Sequence, residues 1–345
     1  MPTIRDVARH AGVSTATVSH VINNTRPVSD ELRARVYEAM EVLGYQRNAV
    51  ARALRSKQSH TVGVIVPDST NPFFAEVIRG LEDISLAHEY SVILCDSRGD
   101  LATEQLHTRN LVAKQVDGII YIAAGKGYTH IEALIAQRLP VVFVERDPLH
   151  LDVDAVMISN LAGGRLATRH LIDLGHRRIA CITGPTRLTL RGDRLQGYHQ
   201  ALLQAGLPVD ETLIVEGQFS CESGYHAARH LLALPDPPTA IFAFNDLMAM
   251  GALRAAREAG LKLPQQLSVV GFDDIYLTAY SVPALTSVRL PKYKMGKAAA
   301  ELLFQRVGDG KRPPSRKAFE IDLIVRDSTG PPPGTPRPFR PHPPS

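Results

Sequence analysis

Residues 3–24 read Thr-Ile-Arg-Asp-Val-Ala-Arg-His-Ala-Gly-Val-Ser-Thr-Ala-Thr-Val-Ser-His-Val-Ile-Asn-Asn, and their apolar side chains recur at helical spacing in two short runs. The first run predicts a helix over residues 3–10, and the second predicts a helix from Ser14 or Thr15 to about Asn23. Gly12 separates the two runs, and the small residues around it allow two helices to meet at a sharp turn. The stretch therefore predicts a helix-turn-helix.

A third amphipathic helix completes this head. It begins at the capping pair Ser29-Asp30 and stops before Gly44, a residue type that commonly ends helices. The three short helices predict an N-terminal all-α head over residues 1–47. The pattern alone also allows a small three-helix core that binds no ligand.

The second predicted helix carries short side chains on its outer side. Threonine and alanine let a helix approach base edges closely, and a threonine can contact a thymine methyl group or form a hydrogen bond. Asn24 and Arg26 follow the helix, where contacts to phosphates or bases would fall. The candidate DNA-contacting residues of the head are Thr15, Ala16, Thr17, His20, Asn24 and Arg26.

The charge of the chain is unevenly distributed. Residues 1–60 hold nine Lys and Arg against five Asp and Glu, whereas residues 61–305 hold 22 against 26. A basic head suits a module that binds phosphates, because each neutralised phosphate releases counterions. The charge balance alone fits a solvated surface equally well.

From Thr61 onward, short runs rich in β-branched residues alternate with helical patterns, and the alternation starts again after Ser159. Strands that alternate with helices predict parallel sheets joined by right-handed crossovers. Two successive series predict an α/β body of two lobes over residues 61–330. Lobe one is predicted at about 61–160 and 291–320, and lobe two at about 161–290 and 321–330.

Two further segments differ in composition from the head and the body. Residues 48–57 form a short amphipathic stretch, and about ten residues are marginal for an isolated helix in water. Partners must therefore stabilise any helix there. Residues 331–345 hold eight of the 24 prolines, which predicts an extended, disordered tail.

A cleft between two α/β lobes is a usual place for a small ligand, and ligands bind beyond the carboxyl ends of the strands. The polar and aromatic residues that directly follow predicted strands are therefore candidates. Asp246 and Asp274 are expected instead to cap helices. The candidate ligand-binding residues are Asn71, Phe73, Phe74, Glu145, Arg146, Arg194, Phe219, Asn245 and Asp273.

The sequence also argues against several classes of protein. The N-terminus lacks the pattern of a signal peptide, and no apolar run approaches the length of a membrane span. Three cysteines are too few for a disulfide framework, and no motif of a P-loop, a dinucleotide site, a serine hydrolase or a zinc protease is present. We expect a cytoplasmic protein that is not an enzyme and has no cofactor, no metal and no membrane contact.

Residues 3–24 resemble the DNA-binding head of the lac repressor family, and the resemblance extends to about residue 327. Within the family, the pattern is most similar to the ribose operon and purine repressors. The resemblance implies a periplasmic-binding-protein-like body and a homodimer on double-stranded, pseudo-palindromic operator DNA. It also implies a hinge helix and linker at residues 48–60. Leu54 would enter the minor groove, with Arg55 beside it.

The resemblance further implies a small-molecule effector in the cleft, where Arg194, Asn245 and Asp273 match effector-contacting positions of the family. Carboxylates, arginines and aromatic walls suit a sugar such as ribose, although a purine or nucleoside would also fit. Related ribose-binding sites usually carry Asp where this chain has Glu145, so ribose specificity does not transfer directly. A periplasmic sugar-binding transport protein would lack the head. The tail lacks a leucine heptad, which favours a dimer over a tetramer.

Overall fold

A computed structural model describes residues 2–45, 58–122, 127–145, 151–185 and 189–334, without the side chains of residues 189–191. The chain divides into one compact unit up to Ser59 and a second from His60 onward. The predictions for Leu54, Arg55, Arg146 and most of the tail lie outside the described residues.

The head consists of the three helices that the sequence predicts. Hydrogen bonds at the helix starts explain their bounds: the Thr3 amide donates to Asp6 Oδ2 at 2.9 Å, and Ser14 Oγ accepts from the Thr17 amide at 3.0 Å. Gly12 ends the first helix in a left-handed conformation with φ 61°. The bounds are α1 (Ile4–Ala11), α2 (Thr15–Asn23) and α3 (Asp30–Leu43), and their shared core contains Val7, Ala8, Ala11, Val18, Val21, Ile22, Val36 and Ala39.

Lobe one of the second unit is a six-stranded sheet flanked by helices. Residues 118–122 are all buried, as expected for a parallel strand covered on both faces. Its strands are β1 (Thr61–Val66), β2 (Ser91–Asp96), β3 (Gly118–Ile122), β4 (Val141–Val144), β5 (Asp154–Ile158) and β11 (Arg316–Phe319), in the order β11-β5-β4-β3-β1-β2. Its helices are α4 (Pro72–Ala87), α5 (Leu101–Ala113), α6 (Thr129–Ala136) and α11 (Lys292–Gly308).

Lobe two is also a six-stranded sheet flanked by helices. Its strands are β6 (Ile179–Thr183), β7 (Ile214–Glu216), β8 (Ala240–Ala243), β9 (Ser268–Asp273), β10 (Thr286–Arg289) and β12 (Asp322–Ile324), in the order β12-β10-β9-β8-β6-β7. Its helices are α7 (Asn160–Asp173), α8 (Thr189–Gln204), α9 (Cys221–Leu232) and α10 (Asp246–Glu258), with 3-10 turns at Glu211–Leu213 and Tyr276–Ala279.

The chain passes between the two lobes three times, after β5, after β10 and after β11. The prediction of parallel sheets is confirmed for the described strand pairs except one, because β12 pairs antiparallel with β10. Strand β5 is absent from the sequence prediction. Within the described ranges, no helix is both long and apolar enough to cross a membrane.

Candidate functional site

A cavity lies between the two lobes, at the carboxyl ends of their strands. Eight of the nine candidate ligand residues line it, and the ninth, Arg146, lies outside the described residues. Lobe one contributes Asn71, Phe73, Phe74 and Glu145, and lobe two contributes Arg194, Phe219, Asn245 and Asp273.

Three further polar side chains line the cavity but were not among the candidates. Asp68, Arg98 and Gln218 follow strands β1, β2 and β7, so the rule of strand ends would have found them. Asp68 accepts hydrogen bonds from the amide and hydroxyl of Thr70, which holds the loop after β1.

Arg194 is the central cation of the cavity and is almost completely buried. Its Nε donates to Asn160 Oδ1 at 2.7 Å, and its Nη1 donates to the carbonyl oxygen of Phe244. Its Cζ lies 3.7 Å from the centroid of the Phe272 ring, a cation–π contact. These contacts hold the guanidinium in place and leave Nη2 facing the two buried acids of the site.

Those two acids come from different lobes. Arg194 Nη2 lies 3.6 Å from Glu145 Oε1 of lobe one and 4.0 Å from Asp273 Oδ1 of lobe two. Both distances are too long for a good hydrogen bond. The buried Oε1 of Glu145 has no hydrogen-bond partner within the described protein. Glu145 Oε1 and Arg194 Nη2 therefore form a long ion pair without a good hydrogen bond, and a ligand with both a donor and an acceptor could form hydrogen bonds to the two atoms.

Burial is the largest influence on the pKa values of these two acids. It raises the pKa of Glu145 to about 8, since the attraction of Arg194 offsets only part of the lost hydration and Asp273 adds repulsion. Burial also raises the pKa of Asp273 to about 7, against the opposing pull of Arg194 and Lys292. The empty site thus retains a proton near neutral pH, and a ligand that donates hydrogen bonds would favour the ionised carboxylates.

Aromatic rings and amides form the walls. Phe73 and Phe74 meet edge to face, with their centroids 5.0 Å apart. Asn71 Oδ1 accepts from the Phe73 amide at 3.0 Å, which caps α4. Asn245 caps α10 through Met248 and also donates to the carbonyl oxygen of Phe219 at 3.0 Å. Both amides have therefore a capping role in addition to lining the cavity.

Asp246 and Asp274 hold the scaffold around the cavity. Asp246 accepts from the Ile275 amide at 2.8 Å and from the Ser287 hydroxyl at 2.5 Å. Asp274 pairs with Arg289 at 2.8 Å and with Arg326 at 2.7 Å. Both residues are structural, as expected, but they bind strands and turns rather than cap helices.

In the head, α2 presents the candidate DNA-contacting side chains away from the core. Thr15, Ala16, Asn24 and Arg26 are exposed, whereas Thr17 and His20 are half-buried. His20 Nδ1 lies 2.8 Å from Thr25 Oγ1, which ties the end of α2 to the next turn. An exposed row of short side chains on one helix leaves room for contact with the major groove.

Among the described residues, no group of three or more His, Cys, Asp and Glu side chains could hold a metal ion.

Comparison with known proteins adds to this description. A family model described as "Bacterial regulatory proteins, lacI family" matches residues 3–48. A second model, "Periplasmic binding proteins and sugar binding domain of LacI family", matches residues 59–325. The two matches coincide with the helical head and the two-lobed body.

Relatives of known function are similar over almost the whole chain. The HTH-type transcriptional repressor PurR of Photobacterium profundum is 40% identical over 331 residues, which cover 95% of this chain and 98% of that protein. The ribose operon repressor of Escherichia coli strain K12 is 41% identical over 310 residues, which cover 89% and 93% of the two chains.

Solved structures show the same fold. The lac repressor dimer bound to operator and the anti-inducer ONPF superposes with a TM-score of 0.85 at 29% identity, covering 95% of this chain and 99% of that one. A LacI family transcriptional regulator from Enterococcus faecium with bound ribose gives a TM-score of 0.71 at 32% identity, covering 79% and 99%.

A helix-turn-helix head joined in sequence to a two-lobed α/β body with a polar cleft defines the class of ligand-controlled transcriptional regulators. This chain belongs to the LacI family of bacterial regulatory proteins.

Proposed function

We propose that this LacI-family regulator is a cytoplasmic, homodimeric repressor of transcription without catalytic activity, and that its cleft binds a neutral sugar of pentose size such as ribose. The observation that carries the effector assignment is the buried Oε1 of Glu145, which lies 3.6 Å from Arg194 Nη2 and accepts no hydrogen bond from the described residues. Adjacent hydroxyl groups of a sugar can donate to the first atom and accept from the second.

The charge of the cleft favours a neutral ligand. Because one of the two acids keeps its proton near neutral pH, Arg194 balances the charge of the other, so the cleft carries little net charge to attract an ionic ligand. The rings of Phe73 and Phe74 supply an apolar wall for the flat face of a sugar ring. The ribose-bound regulator from Enterococcus faecium supports the same ligand class.

A purine is the second candidate. It is favoured by the 40% identity to PurR over 95% of this chain, close to the identity to the ribose operon repressor. A purine base would stack on the aromatic wall and use the acids and Arg194 at its edge. The two candidate effectors predict opposite effects on operator binding. A sugar effector suggests that the repressor releases DNA when the sugar binds, and a purine effector suggests corepression.

Thermal unfolding of the full chain tests the effector class. A ligand that binds only the folded protein stabilises it by about 2.7 kcal/mol at a hundredfold excess over Kd, which raises the midpoint by a few degrees. D-ribose, other pentoses, hexoses, hypoxanthine and guanine would be compared. A rise with a sugar supports the proposal, and a rise with a purine alone overturns it. No rise with any compound removes the assignment of this cleft to either class.

Effector affinity is expected to rise with pH between about 6 and 8, by up to about tenfold per unit. The pKa of Glu145 is raised to about 8 in the free protein, so the proton must leave before the carboxylate accepts from a hydroxyl. Calorimetric titrations with D-ribose at several pH values check this. In Glu145→Gln the rise of D-ribose affinity above pH 7 should disappear. A wild-type affinity that does not change with pH would contradict the proposed hydrogen bond.

The dimer requires an apolar surface on the body. Tyr276, Tyr280 and Val282 are exposed and lie close together in sequence. Val282 borders a groove that is also lined by Met250, Leu253, Arg254, Arg257 and Glu258. Exposed apolar patches of this kind mark interaction sites, and we assign this one to a second copy of the chain.

Tyr280→Asp is expected to shift the protein to monomers, because burying a carboxylate in an apolar interface is costly. Tyr280 is 80% exposed in the single chain, so the substitution should leave the fold intact. Light scattering measures the mass. Leu203→Asp, on a different exposed position of lobe two, is the matched control. A dimeric Tyr280→Asp protein would exclude this patch from the interface.

The head binds the operator in this proposal. Thr15, Ala16, Thr17 and His20 would contact base edges, and Asn24 and Arg26 would contact adjoining phosphates or bases. Two heads related by two-fold symmetry require a pseudo-palindromic site. Leu54 and Arg55 remain the predicted minor-groove contacts of residues 48–60.

A further inference from the structure

Lys292 is a buried cation that the recognition of the effector does not use directly. It is the first residue of α11, just after the chain leaves lobe two for lobe one, and it is only 4% exposed. A buried ammonium group is costly unless its three protons are satisfied. Its partners therefore indicate its role.

Two of those partners are carbonyl oxygens in lobe two. Lys292 Nζ donates to the carbonyl oxygen of Asp273 at 2.8 Å and to that of Asp274 at 2.7 Å. Both aspartates have positive φ, 105° and 53°, in the region that favours glycine. Such conformations persist only where surrounding contacts enforce them. Lys292 thus fixes the backbone that aims the Asp273 carboxylate into the cavity.

The third neighbour of the ammonium group is an ion-pair partner in lobe one that lies beyond hydrogen-bond distance. Lys292 Nζ lies 3.7 Å from Glu76 Oε2 on α4, the helix whose first turn carries Phe73 and Phe74. The backbones of α4 and α11 lie in close contact, since a Cβ at Gly80 would lie 2.1 Å from the Tyr293 carbonyl oxygen. The close packing of the two helices holds Glu76 near Lys292.

Asp274 also forms ion pairs with residues near the segments that pass between the lobes. Its carboxylate pairs with Arg289 at the end of β10 and with Arg326 just after β12. Strand β10 leads into the second passage between lobes, and β12 follows the third. The pair Asp273-Asp274 therefore joins the cavity to two of the three inter-lobe passages.

We propose that Lys292 is a positioning residue for the effector carboxylate Asp273, and that its contact with Glu76 transmits the presence of an effector from lobe two to lobe one. The proposal rests on the effector role of the cleft. The contacts of Lys292 with the carbonyl oxygens of Asp273 and Asp274 would determine the affinity for the effector. The contact of Lys292 with Glu76 would determine the factor by which the effector changes operator affinity.

Hydrogen exchange of the full-length protein without ligand tests the first part. In Lys292→Met, which retains the aliphatic stem, amides of residues 273–275 should exchange about tenfold faster, the loss expected for a hydrogen bond to a charged group. Val269→Ala, in the buried part of β9, controls for general destabilisation, and Lys294→Met controls for charge on an exposed position of α11. Unchanged exchange at 273–275, or equal acceleration in Val269→Ala, would refute the positioning role.

Titration with D-ribose and operator-binding assays test the second part. Lys292→Met should weaken D-ribose binding about tenfold or more, whereas Glu76→Gln should leave D-ribose Kd nearly unchanged. Glu76→Gln should instead reduce the coupling factor between D-ribose and operator, typically about 5- to 150-fold in allosteric proteins. An unchanged factor in Glu76→Gln would disprove transmission through this contact. If wild-type protein does not bind D-ribose, the ribose assignment fails, while hydrogen exchange still decides the role of Lys292.

Discussion

Replacing Arg194 by Met is expected to abolish the response to effector, with effector affinity lower by about 10²- to 10³-fold. The guanidinium is the cation facing both buried acids of the site, at 3.6 Å from Glu145 and 4.0 Å from Asp273. Its removal takes away the donor to the ligand and the positive charge that favours ionisation of the two carboxyl groups. The remaining acids will retain protons more strongly and accept hydrogen bonds less well.

Titration calorimetry with D-ribose and operator-binding assays measure the two consequences separately. Basal operator affinity of Arg194→Met should stay close to that of the wild type, because the head is unchanged. Arg169→Met is the matched control, since Arg169 is exposed on α7 and pairs with Asp173 in its own helix. An Arg194→Met protein that still responds to effector at wild-type concentrations would remove Arg194 from the recognition of the ligand.

Ala16→Glu is expected to eliminate specific operator binding, by about 10³-fold, while effector affinity stays unchanged. Ala16 is exposed in the first turn of α2, the helix proposed to enter the major groove. A carboxylate there would face phosphates and acceptor-rich base edges, and it would be too long for the close approach that alanine allows. Glutamate near a helix N-terminus is otherwise favourable, so the fold of the head should tolerate it.

Fluorescence anisotropy with labelled operator DNA at fixed salt concentration provides the measurement. Val42→Glu adds the same charge at an exposed position near the end of α3 and is the matched control. If both variants lose affinity equally, net charge rather than α2 is responsible. If Ala16→Glu binds as the wild type does, α2 is not the recognition helix.

Sequence patterns predicted the local features of both units. The helix bounds of the head were confirmed because caps at Ser14 and Ser29 and a left-handed Gly12 act within one turn of chain. The cleft residues were found by looking beyond the carboxyl ends of the predicted strands, together with the family resemblance for Arg194, Asn245 and Asp273. The sequence analysis did not identify strand β5, whose first residue is the buried Asp154. Only the folded chain shows that Arg306 and Arg312 satisfy this carboxylate, at 2.7 and 2.8 Å.

The sequence by itself determined the helix-turn-helix and the alternation of strands and helices, since these follow from spacing along the chain. The resemblance of its residues to a known family supplied the family and three of the cleft residues, Arg194, Asn245 and Asp273. The tertiary structure alone decided which of these groups face each other. Glu145 and Arg194 belong to different lobes, and Lys292 reaches Asp273 across 19 residues of sequence. Their burial and altered pKa values arise from chain segments that meet only after folding, and local periodicity carries no information about such contacts.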